Sequence, residues 1–308
     1  MVQPQQQAMT TTPATITIGV LALQGAFVEH ISLLRQAAGD LHIQVSDRPS
    51  GGDHYASHEE RIDSLSSSSS SADVTCPDSD YTLTLIEVRT PAELARCDGL
   101  IIPGGESTSI SLIAERTGLL EPLREFVKVQ RRPTWGTCAG LILLAESANK
   151  SKASGQELIG GLDVRVQRNY FGRQVESFEA ELSLPFLEDG GLFRTVFIRA
   201  PVVERVLPSA STSMGEVPLA APDDTVVAPA KQATKARVEI LGRLPGRAKA
   251  IKDRTTTAED LGEEGDIVAV RQGNVFGTAF HPELTGDGRI HGWWLREVMK
   301  AVRERGKA

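Results

Sequence analysis

The sequence predicts a single α/β domain in which helices flank a central sheet of mostly parallel strands, interrupted by two flexible insertions. Two observations carry this prediction. Short apolar runs rich in β-branched residues alternate with segments of helical periodicity, and glycine-rich turns follow several of these runs. Such alternation is typical of parallel sheets covered by helices. The 308 residues exceed what one such domain needs, and the insertions explain the excess better than a second domain does.

The first half of the chain carries the clearest alternation. The run at 16–23 reads ITIGVLAL and predicts a strand, and the apolar residues that follow at spacings of three and four predict a helix. The same reasoning predicts the remaining elements of this half, which are strands at 41–45, 82–88, 99–102 and 133–136, and helices from Pro91, over 107–116, over 119–130 and over 139–145.

The second half has shorter strands with hairpin-like spacing. Apolar alternation predicts strands at 164–168, 177–184, 196–198 and 237–241 and a hairpin formed by 266–271 and 275–280. A final amphipathic helix is predicted over 289–303.

Three polar segments interrupt this pattern. Residues 1–15 are predicted to be a flexible extension, so the domain spans 16–308. The segment 48–80 contains a serine run at 66–71, and the segment 208–265 is rich in Pro, Ala, Thr, Asp and Lys around its one predicted strand. Both compositions are typical of flexible surface insertions, although a structured loop at 48–80 stays possible.

Charge and cysteine content exclude several classes of protein. The net charge of −7 and the lack of a basic run argue against nucleic acid and anionic membranes as partners. No apolar run reaches the length of a membrane span, and the first residues do not resemble a secretory signal. Three cysteines, none in a C-x-x-C pair, predict neither a disulfide framework nor a metal site and favour a reducing, cytoplasmic setting. No cofactor is expected.

The run GTCAG at 136–140 lies between an apolar strand and an apolar helix. A nucleophile between two glycines at such a turn is typical of a nucleophile elbow, in which a strained turn lifts the side chain above the sheet. The N-terminus of the following helix would favour the thiolate of Cys138. A buried structural cysteine is the alternative.

A cysteine nucleophile needs a base, and His281 is the best placed of six histidines because it ends an apolar strand. Pro282 stops strand pairing there, and Glu283 lies two residues on, where it could orient the imidazole. Cys138, His281 and Glu283 are therefore predicted to form a catalytic triad. His30 and His42 are expected to be structural or exposed.

A second glycine-rich turn, PGGES at 103–107, follows the strand 99–102 and opens a helix with Ser107 as the expected N-cap. Free backbone N–H groups at this turn could bind phosphate or donate to an oxyanion, and a plain tight turn is the third possibility. The lack of a P-loop lysine favours the oxyanion role.

Together these residues resemble the class I (triad) glutamine amidotransferases, and more closely the glutaminase subunits of pyridoxal 5′-phosphate synthase, the PdxT/SNO family. The resemblance extends over nearly the whole chain outside the insertions. The blocks that carry it are Ile18–His30, Gly99–Thr108, Glu121–Phe126, Gly136–Ala145, Arg168–Leu182, Phe197–Pro201 and Phe280–Asp287.

The resemblance implies a three-layer α/β glutamine amidotransferase domain that hydrolyses L-glutamine and passes the ammonia to a synthase subunit of the PdxS/SNZ type. It implies Cys138 as nucleophile, His281 as base and Glu283 as its orienter. The residues that it implies in glutamine binding are Gly105, Glu106, Ser107, Arg168, Ile198 and Arg199. Backbone N–H groups of Gly105 and Ala139 are expected to bind the oxyanion, and Gln24 and Gly25 are expected beside the site.

Two other functions stay open on the sequence alone. The fold and triad could serve γ-glutamyl hydrolysis or an amidotransferase of another pathway. The chain could also be a non-catalytic scaffold that only binds the synthase, which the intact triad residues argue against.

Overall fold

A computed structural model of the chain describes residues 14–46, 81–150, 156–168, 170, 177–208, 225–229, 234, 236–245 and 265–307. The predicted extension, apart from its last two residues, and the whole insertion at 48–80 lie outside these residues.

The first half alternates strands and helices as the sequence predicts. Its elements in chain order are β1 (Ala14–Leu21), α1 (Phe27–Asp40), β2 (Gln44–Val45), β3 (Tyr81–Val88), α2 (Pro91–Ala95), β4 (Gly99–Ile102), α3 (Ser107–Arg116), α4 (Leu120–Arg124), a π-helical turn (Glu125–Val129), β5 (Thr134–Thr137) and α5 (Ala139–Leu144).

The second half is richer in strands than expected. Its elements are β6 (Ala145–Asn149), β7 (Leu162–Gln167), β8 (Ser177–Ser183), β9 (Leu192–Ile198), β10 (Val202–Val206), β11 (Thr225–Val227), β12 (Val238–Leu244), β13 (Asp266–Gln272), β14 (Val275–Thr278), a 3₁₀ turn (Pro282–Leu284) and α6 (Arg289–Arg305).

The described strands form a twelve-stranded sheet and a separate β8–β9 hairpin. Six neighbouring strands, in the order β2-β3-β1-β4-β5-β14, are parallel throughout. The sheet continues through β13, β10, β7, β6 and β11, where only the β6–β7 pair is parallel, and β12 pairs with β13. The predicted α/β architecture with a mostly parallel sheet flanked by helices is confirmed.

Burial explains the central position of the parallel strands. All four residues of β4 are buried, as expected for a strand covered on both faces. Helices α1 and α6 pack together, whereas α3 packs against α4 and α5. After β1 the chain moves along the sheet toward β2, and after β3 and β4 it moves in the opposite direction, toward β5. Because such crossovers are right-handed, the pair α1 and α6 lies on one face of the sheet, and α3, α4 and α5 lie on the other.

The sequence did not predict strands β6, β10 and β11. The last of these corrects the prediction that 208–265 is a flexible insertion with one strand. Strand β11 lies inside 208–265 and pairs with β6, because its β-branched sequence TVV supplies a partner for that edge and Val226 packs against the core. The segments 209–224, 230–233, 235 and 246–264 lie outside the described residues. Within the described ranges, no helix has both the length and the apolar character that crossing a membrane requires.

Candidate active site

Four loops meet at one edge of the sheet. They follow β1, β4, β5 and β14, which are neighbouring parallel strands, so their carboxyl ends share that edge. These loops carry Gln24–Gly25, the turn 103–105, Cys138 and His281. Parallel strand order therefore collects residues that are up to 257 positions apart, from Gln24 to His281.

Cys138 occupies the strained turn that the elbow pattern predicts. Its φ of 48° and ψ of −99° lie where L-residues rarely fall, and its N–H donates to the carbonyl of Thr278 at 2.8 Å. Both flanking glycines are required by close backbone approach. A Cβ on Gly136 would lie 2.5 Å from the carbonyl carbon of Gly140, and a Cβ on Gly140 would lie 2.0 Å from the carbonyl oxygen of Ile102.

Cys97 offers a contrast within the same chain. It is completely buried and its Sγ donates to the carbonyl of Glu93 at 3.3 Å. Burial is the main cause that raises the pKa of Cys97 to about 12, so this thiol stays protonated and inert.

His281 and Glu283 form a buried pair beside Cys138. The Nδ1 atom of His281 lies 2.7 Å from Oε1 of Glu283, and the main-chain N–H of His281 donates to the carbonyl of Val196 at 2.8 Å. Burial lowers the pKa of His281, but hydrogen bonds to Cys138 and Glu283 outweigh it and raise the pKa to about 10. The imidazole is therefore held as the cation next to the thiol.

The second oxygen of Glu283 faces His30, which the sequence alone predicts to be structural or exposed. Nε2 of His30 lies 3.4 Å from Oε2 of Glu283, and Nδ1 of His30 lies 2.9 Å from Nε2 of His291. Both histidines are completely buried. The available signal was the helical spacing of His30 with Leu34 and Ala37, which places a polar ring on the apolar face of α1.

The turn at 103–105 packs directly on the ring of His281. A Cβ on Gly104 would lie 2.3 Å from Cε1 of His281, and a Cβ on Gly25 would lie 1.8 Å from the carbonyl oxygen of Gly104. Gln24 and Gly25 lie beside the turn, as predicted. The Gly104 carbonyl accepts from the N–H of Ala26 at 3.3 Å, and Oε1 of Gln24 accepts from the N–H of Glu106 at 2.7 Å.

The start of α3 corrects one prediction. The N-cap is Glu106, not Ser107, because the longer Glu106 side chain folds back and accepts from the N–H groups of Thr108 at 3.1 Å and Ser109 at 2.6 Å. Partial burial raises the pKa of Glu106, but hydrogen bonds from Ser109 and Thr108 outweigh it and lower the pKa. Glu106 is exposed and anionic, as an ammonium-binding residue must be.

Gln156, which no sequence motif indicates, links Arg168 and Ser107. Oε1 of Gln156 accepts from the Arg168 guanidinium and, at 3.2 Å, from the hydroxyls of Ser107 and Thr108. Burial lowers the pKa of Arg168 to about 10, an effect that the nearby Glu106 charge opposes. A buried cation and an exposed anion thus lie near one another at the start of α3. Within the block Arg168–Leu182, residue 169 and residues 171–176 lie outside the described residues.

The end of β9 closes the other side of the site. Sγ of Cys138 lies 4.0 Å from the carbonyl oxygen of Ile198. Arg199 follows with a φ of 42° and is exposed. Ala139 follows Cys138 as the first residue of α5, where an N–H has no acceptor within its own helix. The structure thus brings Cys138, His281 and Glu283 together and places the predicted binding residues around them.

Comparison with known proteins gives a consistent result. The sequence profile of the SNO glutamine amidotransferase family matches residues 20–239 and 238–300. The probable pyridoxal 5′-phosphate synthase subunit PDX2 of Arabidopsis thaliana is 38% identical over 290 residues, which cover 91% of this chain and 85% of that protein. Pyridoxal 5′-phosphate synthase subunit PdxT of Acidothermus cellulolyticus is 36% identical, across 93% of this chain and 95% of that protein.

A solved structure described as a glutamine amidotransferase shares the fold. Its TM-score is 0.54 and its identity is 31%, over 91% of this chain and 98% of that chain.

Proposed function

This chain belongs to the SNO glutamine amidotransferase family, and we propose that it is the glutaminase subunit of a pyridoxal 5′-phosphate synthase that hydrolyses L-glutamine with Cys138, His281 and Glu283. The family resemblance that the sequence blocks indicated is confirmed. The single observation that carries the catalytic proposal is the contact of His281 with both Cys138 and Glu283 at the edge of the sheet.

The chemistry follows from this arrangement. The Cys138 thiolate attacks the side-chain amide carbon of glutamine, and the carbonyl π electrons move to the oxygen. The resulting oxyanion accepts hydrogen bonds from backbone N–H groups, which we assign to Gly105 and Ala139. The imidazolium of His281 gives its proton to the amide nitrogen as the carbon–nitrogen bond breaks, so ammonia leaves and a thioester remains.

The second half of the cycle returns the enzyme to its starting state. Neutral His281 takes a proton from water, and the hydroxide attacks the thioester carbon. The carbon–sulfur bond then breaks, so the Cys138 thiolate re-forms and the side-chain carboxylic acid leaves and loses its proton to solvent as glutamate. Glu283 holds the His281 ring in one tautomer and stabilises its cationic form through the contact at Nδ1.

Glutamine itself is zwitterionic, so its head group needs both charges matched. Glu106 suits the ammonium group, and Arg168 or Arg199 suits the carboxylate. The proximity of Glu106 and Arg168 supports this assignment, because the ammonium and carboxylate groups of glutamine share one α-carbon and could contact both residues. Ser107 and Ile198 complete the proposed binding surface.

We propose that the ammonia passes to a synthase subunit of the PdxS/SNZ type. Two relatives carry the name of a pyridoxal 5′-phosphate synthase subunit, which supports this partner. A cytoplasmic setting is supported by Cys97 and Cys138, both of which are free thiols.

The test measures ammonia release from glutamine by the chain with and without that synthase. Cys138→Ala should abolish release, and Cys97→Ala should leave it unchanged because that thiol is buried and protonated. Substantial turnover by Cys138→Ala refutes the triad. Faster release of glutamate from γ-glutamyl peptides than from glutamine indicates the hydrolase alternative.

A further inference from the structure

A buried polar cluster lies behind the proposed triad and has no part in the mechanism above. His30 of α1 and His291 of α6 meet beneath the edge of the sheet, 2.9 Å apart between Nδ1 and Nε2. The ring of Trp135 covers both, with centroids at 5.6 Å from His30 and 4.9 Å from His291. Nε2 of His30 points to Oε2 of Glu283 at 3.4 Å and to Oγ1 of Thr137 at 3.3 Å.

The partners of His291 fix the hydrogen positions along this chain of groups. Among the described residues, Nδ1 of His291 is buried with no hydrogen-bond partner. A buried N–H without an acceptor is rarer and costlier than a bare lone pair, so the hydrogen of neutral His291 is on Nε2. That N–H donates to Nδ1 of His30, which leaves the hydrogen of His30 on Nε2, facing Glu283 and Thr137.

Both rings are neutral. Burial is the main cause that lowers the pKa of His30 well below its ordinary value, and a positive charge on His291 or His281 lowers it further. Burial also lowers the pKa of His291 to about 3, although the Asp287 charge opposes this. The titratable groups outside the pair are thus Glu283 and His281, which face His30, and Asp287, which acts on His291.

Neutrality matters for Glu283. A cation at His30 would compete with His281 for the Glu283 charge, whereas a neutral N–H orients the carboxylate and leaves its charge to His281. No described residue makes a regular hydrogen bond to Oε2 of Glu283. The regular hydrogen bond of His30 Nε2 is the one to Oγ1 of Thr137, and the same nitrogen lies 3.4 Å from Oε2 of Glu283, within reach of an electrostatic contact.

We propose that His30 is a positioning residue for glutamine hydrolysis, in which its Nε2–H holds the second carboxylate oxygen of Glu283 and His291 fixes the tautomer that makes this contact. The inference rests on the proposed function, because the reaction that His30 supports is the one assigned to Cys138. Its direct partner is Glu283, and it does not touch the substrate.

The kinetic test compares two substitutions of similar size in the complex with the synthase. His30→Gln keeps an N–H donor near the position of Nε2, and His30→Leu removes it. His30→Leu should lower kcat by about 10²-fold, the cost of a small misplacement of a catalytic group, with KM for glutamine unchanged. His30→Gln should restore most of the kcat.

The pH profile separates positioning from packing. If Glu283 is not oriented, the effect of burial on His281 dominates and the pKa of His281 falls. The alkaline limb of the kcat/KM profile should therefore move to lower pH in His30→Leu and stay in place in His30→Gln. Thr137→Val is the control for the other contact of Nε2, and should leave that limb in place. An unchanged limb in His30→Leu, or the same shift in Thr137→Val, overturns the proposal.

A second measurement does not depend on activity. In ¹⁵N-histidine NMR of the full wild-type chain, His30 and His291 should both be neutral Nε2–H tautomers between about pH 5 and 9. An Nδ1–H tautomer at His30 overturns the proposal even if both His30 variants fail to fold. Wild-type chain that does not release ammonia from glutamine refutes the proposed function instead, and the tautomers still decide the His30 contact.

Discussion

The backbone strain at Cys138 can be measured as a difference between two glycine substitutions. Cys138 has a φ of 48° and a ψ of −99°, whereas its neighbour Ala139 opens α5. Cys138→Gly compared with Cys138→Ala removes one Cβ from the strained position. Ala139→Gly removes one Cβ from the next position. The two positions are similarly buried, since Ala139 is 2% exposed and Cys138 is 7% exposed.

The expected magnitudes follow from this geometry. Glycine in place of alanine within a regular element costs roughly 0.5–1 kcal/mol because the unfolded chain gains freedom. Release of a strained backbone conformation returns about 1–3 kcal/mol, and this gain applies only at position 138. The free energy of unfolding should therefore fall by about 1 kcal/mol for Ala139→Gly, and the change at position 138 should be more favourable by about 1–3 kcal/mol.

Urea unfolding of the four proteins, wild type included, provides the free energies. Ammonia release checks that both Cys138 variants are inactive, so that the stability difference is not linked to retained chemistry. Equal destabilisation by glycine at the two positions would refute the assignment of strain to Cys138.

Three further predictions concern the turn and the histidines. Gly104→Ala places a Cβ 2.3 Å from Cε1 of His281 and should reduce kcat by about 10²-fold. The control is Gly39→Ala, whose Cβ meets nothing within 4 Å and should leave kcat unchanged. A wild-type kcat in Gly104→Ala would contradict the packing of this turn on His281. The raised pKa of His281 stabilises the fold fully below pH 6.5, so thermal stability and kcat/KM should both decline as pH rises through about 10. The lowered pKa of His291 acts in the opposite direction, so this group alone should lower the free energy of unfolding by up to about 1.4 kcal/mol per unit as pH drops below 6.5, and the lowered pKa of His30 adds in the same direction. A Tm that is flat between pH 6.5 and 5 would contradict neutral, buried histidines at these positions.

Much of the fold follows from local sequence pattern. The parallel half was predictable because β4 is a continuous apolar run and α3 repeats apolar residues at helical spacing, so each segment signals its own structure. Strands β6, β10 and β11 carry weaker signals. Their sequences AESAN, VVERV and TVV are short or polar, and pairing with neighbouring strands rather than local preference stabilises them.

The proposed triad was predictable for a similar reason. Glycines around Cys138 and the proline after His281 are local signatures of a strained elbow and of a strand end. The N-cap of α3 was not predictable with the same rule. Serine is the commoner cap, but the turn here places Glu106 one residue earlier with a side chain long enough to reach two N–H groups.

The sequence by itself determined the α/β architecture and the family, and it predicted the proposed nucleophile and its base, because each depends on residues that are close together in the chain. Only the tertiary structure decided what lies behind Glu283. His30 and His291 are 261 positions apart and meet because α1 and α6 pack on the same face of the sheet. Burial there removes the water that would solvate a charged imidazolium, and so keeps two helical histidines as neutral hydrogen-bonding groups.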